Sequence, residues 1–158
     1  IAHHEPTVLR GVDVLSSSGQ LIVDQNFSVP AFAVQAPMLV YQKSATLGHS
    51  GEAVFLVPNL PVEASGMRLE VNLLCNDVLE ADVQWSGRVE IQGLLPTATM
   101  TLDLPASASP GVPRRCQAQP LAVVSSTTGG MGFLRLTLSM TTPLPVHVAI
   151  LGVGLRWL

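Results

Sequence analysis

The chain has 158 residues, 47% hydrophobic and only 12% charged, with eight Lys+Arg against eleven Asp+Glu and a formal net charge of −3. Its seven arginines are scattered apart from the pair Arg114 and Arg115, which excludes a phosphate-neutralising nucleic-acid surface or one drawn to an anionic membrane. The longest apolar run, from Val148 to Leu155, falls far short of the roughly 20 residues of a membrane helix, and no basic segment followed by an apolar one opens the sequence.

Twelve prolines and thirteen glycines interrupt the chain too often for helices of several turns. Period-2 alternation takes their place. In chain order, strands are expected at 8–15, 21–24, 29–35, 38–43 and 53–57. Segment 67–75 has apolar odd positions, with Arg68, Glu70 and Asn72 facing away. In 78–85 the odd positions Leu79, Ala81, Val83 and Trp85 are apolar. In 97–104 the parity reverses, setting Ala98, Met100, Leu102 and Leu104 against threonines and Asp103. After a short strand at 121–124, segment 133–140 sets Leu134, Leu136, Leu138 and Met140 against Arg135, Thr137 and Ser139, and 146–151 follows.

Paired residues share a sheet face, so parity constrains register. A hairpin of 133–140 with 146–151 would pair Met140, Leu138 and Leu136 with Val146, Val148 and Ile150, all apolar. The apolar parity then becomes odd at Val153, Leu155 and Trp157, which predicts a one-residue bulge at Leu151-Gly152. A two-residue turn at Ser86-Gly87 would set Trp85 against Arg88, so a three-residue loop, a bulge or a crossing to a second sheet is expected there.

About ten short strands joined by Pro/Gly turns describe an all-β, single-domain antiparallel β-sandwich over 1–158, a jelly roll before an immunoglobulin-like sandwich. Trp85 lies between Cys75 and Cys116, but Cys116 sits in the four-proline stretch 105–120, which reads as a long loop suited to an interface. Cys75 continues an apolar row, and both cysteines are expected as free thiols.

Each candidate for chemistry has a plainer reading. Gly48-His49-Ser50-Gly51-Glu52 has its second glycine one position early for a nucleophile elbow, and no helix follows, so it reads as a turn. Gly129-Gly130-Met131-Gly132 lacks the lysine and helix of a phosphate loop. Glu80 and Asp82 stand about 6.7 Å apart along one strand face, a spacing an inverting glycosidase could use but one that any solvated strand produces. His3, His4, His49 and His147 show no H-x-H pattern, so no metal, cofactor or catalytic residue is assigned. Of the seven aromatics, Tyr41 is the one expected to be exposed, with Trp85 and Trp157 in apolar rows.

Scarce charge points to covered surface. A compact monomer of this mass exposes roughly 7,600 Å², about one charge per 400 Å², close to the largest apolar patch of a typical monomer. Twenty-three Ser and Thr residues supply neutral polarity instead, the composition of subunit interfaces. A homo-oligomer is therefore expected, with Arg114, Arg115 and Tyr41 as interface candidates and at least one of the two arginines reaching a carboxylate or carbonyl of a neighbour.

This strand pattern, the single lysine and the closing run from Val148 to Trp157 resemble jelly-roll structural proteins of tailed-phage virions. The resemblance implies a non-enzymatic capsid-decoration or tail subunit located in the virion, whose partners are copies of itself and other structural subunits, with no nucleic acid, membrane or cofactor. The alternative is a glycan- or receptor-binding β-sandwich module, which exposed aromatic rings would favour. An enzyme of cupin or glycosidase type stands third.

Overall fold

A computed structural model describes residues 5–29, 34–43, 49–61, 63–75, 83–104, 111–124, 130–140 and 146–158. Among them the chain forms β1 (Thr7–Leu9), a 3-10 turn (Gly11–Asp13), β2 (Val14–Gly19), β3 (Leu21–Val29), β4 (Val34–Lys43), β5 (Ser50–Leu60) and β6 (Gly66–Cys75). β7 (Val83–Ile91), β8 (Leu95–Leu104), β9 (Pro113–Gln117), β10 (Leu121–Ala122), β11 (Gly130–Met140) and β12 (Val146–Trp157) complete the fold. One sheet of seven strands runs β10-β6-β12-β4-β3, with β9 also on β6 and β1 also on β12. The second, of five strands, runs β2-β5-β11-β7-β8. All pairings are antiparallel, as expected for an all-β sandwich.

The core lies between the sheets. β6 contributes Met67, Leu69, Val71 and Leu73, and β11 contributes Leu134, Leu136, Leu138 and Met140, all fully buried. The alternation read from the sequence is thus the inward face of each sheet. The expected hairpin of 133–140 with 146–151 does not form: β11 lies between β5 and β7, whereas β12 lies between β6 and β4. Their apolar rows occupy opposite walls of one core, and parity cannot distinguish residues that pair within a sheet from residues that face each other across a sandwich. The bulge does occur, as a register shift between Ile150 and Gly152, and it keeps Val153, Leu155 and Trp157 buried.

Ser86-Gly87 is neither a turn nor a crossing. β7 runs straight through it, with Trp85, Val89 and Ile91 buried in one phase; a Cβ at Gly87 would lie 2.9 Å from both the Met100 methyl and the Thr137 carbonyl oxygen. The strand expected at 8–15 breaks into β1, the 3-10 turn and β2, which belongs to the other sheet. At the break Gly11 passes so close to β4 that a Cβ would lie 2.6 Å from the Pro37 carbonyl oxygen, and Arg10 N donates to Asp13 Oδ2 at 2.8 Å.

Two further readings need correction. The stretch 105–120 is not all loop: Pro113–Gln117 forms β9, an edge strand on β6, with Cys116 buried opposite Val71. An edge position tolerates the proline that argued against a strand. Neither cysteine is in a disulfide and both are buried; burial first, then the Asp103 charge, push Cys116 up to about 11 against the lowering effect of Arg114. Tyr41 is fully buried rather than exposed. Its ring lies 5.4 Å from that of Trp85 across the core. Its hydroxyl donates to the His49 carbonyl and accepts from Met140 N, so a phenol that looked available for a partner instead joins β4 to the ends of β5 and β11. Desolvation raises its pKa against the lowering effect of the Met140 bond.

Leu138 is fully buried, and its replacement by alanine is expected to cost about 2–5 kcal/mol. An unchanged urea midpoint would place this row outside the core.

Candidate functional site

Inward apolar faces leave the outward faces to define what the molecule can touch. On the five-stranded sheet, register lines up Glu52 of β5, Thr137 of β11, Arg88 of β7 and Thr99 of β8 in one row, with strands about 4.8 Å apart. The row to one side holds Ser50, Ser139, Ser86 and Thr101. To the other side stand Val54, Arg135 and Glu90, where the Thr97 hydroxyl donates to Glu90 Oε2 at 2.7 Å. Beyond them Leu56 pairs with Phe133.

These rows floor a groove of about 650 Å³ lined by His49, Ser50, Ser86, Arg88, Thr99 and Thr101, with Gln119 and Leu121 forming a wall beside β8. Gly87, in the inward phase of β7, lines the groove with its backbone. A smaller hollow of about 170 Å³, bounded by Glu52, Arg88, Glu90, Thr97 and Arg135, continues it across Arg88 and Thr137. Two acids and two arginines alternate there: Arg135 Nε stands 3.6 Å from Glu52 Oε1, and Arg88 makes no ion pair among the described residues. Hydroxyls both donate and accept, while guanidinium groups only donate and carboxylates only accept, so the face offers every hydrogen-bonding role within a few ångströms. Phe133, 47% exposed, is the one exposed Phe, Tyr or Trp ring among the described residues.

The outward face of the seven-stranded sheet is different. A second small apolar cluster of Phe27, Val40, Leu74 and Ala149 is buried on it, with Phe27 edge-on to His147 at 6.2 Å. Farther along β6, Glu70 is buried although it points outward. Gln117 Nε2 donates to its Oε1 at 2.8 Å and Arg156 Nε at 3.1 Å, and Arg115 Nε stands 3.9 Å from Oε2. Burial alone would raise its pKa, but those two hydrogen bonds and the charges of Arg156 and Arg115 outweigh it, and Glu70 titrates below its ordinary value.

The residues singled out from sequence are dispersed. Arg115 meets a carboxylate of its own chain, Glu70, and hydrogen-bonds Asn72, and Arg114 also has a partner. His49 lines the groove, whereas His147 lies on the other sheet. His3, His4, Glu80, Asp82, Gly48 and Gly129 lie outside the described residues, among which no group of three His, Cys, Asp or Glu could hold a metal. The sequence reading missed Phe133 and Arg88. One signal for the ring was present: Phe133 shares the odd parity of Arg135, Thr137 and Ser139 and so belongs with the polar face.

No family model matches the sequence, and no curated protein does either. Solved structures do. A family 35 carbohydrate-binding module from Clostridium thermocellum matches with a TM-score of 0.55 at 9% identity, over 96% of this chain and 98% of that one. CsCBM6-3 from Clostridium stercorarium, solved in complex with cellobiose, matches at 0.53 and 11% identity, over 96% and 92%. The mosquito-larvicidal Cry4Aa toxin of Bacillus thuringiensis reaches 0.61 at 10% identity, over 97% of this chain but 23% of the toxin, so the chain spans about a quarter of that protein. At such identities the likeness is one of fold: the chain is a jelly-roll β-sandwich of the kind seen in carbohydrate-binding modules. It overturns the resemblance to tailed-phage virion proteins and the capsid or tail role drawn from it, since these neighbours are carbohydrate-binding modules and a toxin rather than virion components. The resemblance rested on strand pattern and scarce lysine, which any charge-poor jelly roll shares.

Two outcomes follow for stability. The Arg135–Glu52 pair is about half exposed at both ends, so Arg135→Ala should change unfolding free energy by less than about 1 kcal/mol. Because the folded-state pKa of Glu70 is depressed, its stabilising contribution is complete above the ordinary glutamate range and is lost as pH falls through the folded value. Glu70→Gln should therefore flatten the acid limb of the stability–pH curve, as measured by urea unfolding over a series of acidic buffers; an unaltered limb would show that the carboxylate is not coupled to folding.

Proposed function

We propose that this protein is a non-catalytic glycan-binding module whose site is the outer face of the five-stranded sheet. The observation that carries the reading is the groove there, lined by hydroxyls and Arg88, with the exposed ring of Phe133 on the same face beyond Arg135. A pyranose has an apolar face of C–H bonds and a rim of hydroxyls. A ring takes the first, and paired donors and acceptors take the second. Phe133 stands one outward position, about 6.7 Å, from Arg135, so a sugar stacked on it would bring its hydroxyls toward Arg135, Glu90 and Thr97. The next sugar would lie over Thr137 and Arg88. A shallow open groove suits a chain of sugars, held at several weak subsites, better than one enclosed monosaccharide. The fold likeness to modules such as the one solved with cellobiose supports the same reading.

Calorimetry against cellohexaose, xylohexaose and mannohexaose tests it. At least one should bind saturably. Phe133→Ala and Arg88→Ala should each weaken that binding about tenfold, the loss of one stacking or charged contact of roughly 1.4 kcal/mol. Folded protein that binds none of the three, or binding that neither substitution alters, would overturn the assignment of this face.

A further inference from the structure

Two arginines flank the carboxylate of Glu70 on the outward face of the seven-stranded sheet, and a third, Arg68, stands two positions along β6, in a chain whose net charge is −3. Register sets Arg156 of β12 directly beside Arg68 of β6, and Gly154 beside Glu70. On the other flank of β6, Gln117 lies beside Glu70 and Arg115 beside Asn72. Like charges directly opposite one another destabilise a sheet, and one glutamate does not compensate three guanidinium groups. Arg156 Nε bonds Glu70 Oε1 at 3.1 Å, Arg115 Nε lies 3.9 Å from Oε2, and Arg68 Nε is buried with no hydrogen-bond partner among the described residues. Among the described residues the cluster holds more arginine than the one carboxylate it pairs with.

We propose that this cluster is a second binding site, which takes the carboxylates of an acidic polysaccharide. A guanidinium presents several donors in a planar fork that matches a carboxylate. The side chains of Arg115 and Arg156 are 57% and 46% exposed, so both guanidinium groups can be reached from solvent. Gly154 lets the Glu70 side chain lie close over β12, since a Cβ there would touch it at 3.6 Å. Glu70 acts as an internal anion that holds the arginines in place and competes with the ligand. The negative charge of the rest of the molecule opposes a dense polyanion or an anionic bilayer at longer range, so carboxylates spaced along a sugar chain fit better than a phosphate backbone. The site lies on the opposite side of the sandwich from the groove, and the proposal does not depend on the reading of that groove.

The test is titration of the intact protein with polygalacturonate at low and high salt. Saturable binding that weakens with salt is expected. Arg115→Ala, which removes an exposed side chain and leaves the core intact, should weaken it about tenfold, the low end for a charged hydrogen bond. Glu70→Gln, confirmed as folded by its circular dichroism, should tighten it by a similar factor, a gain that a merely structural ion-pair network would not produce. No binding, or binding indifferent to Arg115→Ala, overturns the proposal. Equal or stronger binding to phosphatidylserine vesicles overturns the polysaccharide assignment in favour of a membrane, and competition by inorganic sulfate as strong as that by the polymer reduces it to a simple ion site. Neutral hexaoses separate the two sites: Arg115→Ala should leave their binding unchanged, whereas Phe133→Ala should leave polygalacturonate binding unchanged.

Discussion

The extra residue at Leu151-Gly152 holds together more of this molecule than any other single feature. β12 lies between β6 and both β4 and β1, and its two halves have opposite apolar parity. Without the shift between Ile150 and Gly152, one half would turn Val153, Leu155 and Trp157 outward and Arg156 into the core. Burying an unpaired guanidinium costs several kcal/mol, so the bulge is what lets a single strand serve the core along its whole length. It also delivers Arg156 to the outer face beside Glu70. Core and charged cluster are thus two results of one backbone irregularity.

The alternation of 67–75, 97–104 and 133–140 was enough to read an all-β sandwich and to sort inward from outward residues, because sheet side chains have a period of two. It could not choose partners. Met140, Leu138 and Leu136 match Val146, Val148 and Ile150 equally well as cross-strand neighbours or as opposing walls, since apolar contact has no direction. Tyr41 was misplaced for a related reason: its position in phase with Leu39 marked it as inward, but a phenol is buried only where its hydroxyl finds partners, and His49 and Met140 come from strands that sequence alone does not place beside β4. Phe133 shows the converse. Its phase with Arg135 was legible, but an aromatic residue opening a hydrophobic segment invites assignment to the core. The groove needed four strands in register before its hydroxyls became neighbours, and no linear spacing encodes that.

The two faces divide the available polarity. One carries Ser and Thr hydroxyls with two arginines and two glutamates in near balance; the other sets Arg115 and Arg156 against a single buried acid. The sparse charge is therefore not spread as a solubilising coat, which is how the composition first suggested surfaces hidden between subunits. Neutral hydroxyls are cheap to desolvate compared with charges, and that property serves a face meeting hydroxyl-rich matter as well as one meeting protein.

Thr7 pairs with Leu155 and Leu9 with Val153, so the first strand enters where the last one leaves. Tension applied to the two ends would peel β1 from β12 one hydrogen bond at a time, instead of shearing the pair along its length. A three-residue strand paired on one side only yields to such a load before the long central strands do. The same closeness allows the ends to be joined by a short linker and the chain reopened in a surface loop, so the order in which the strands are synthesised is separable from the shape they build.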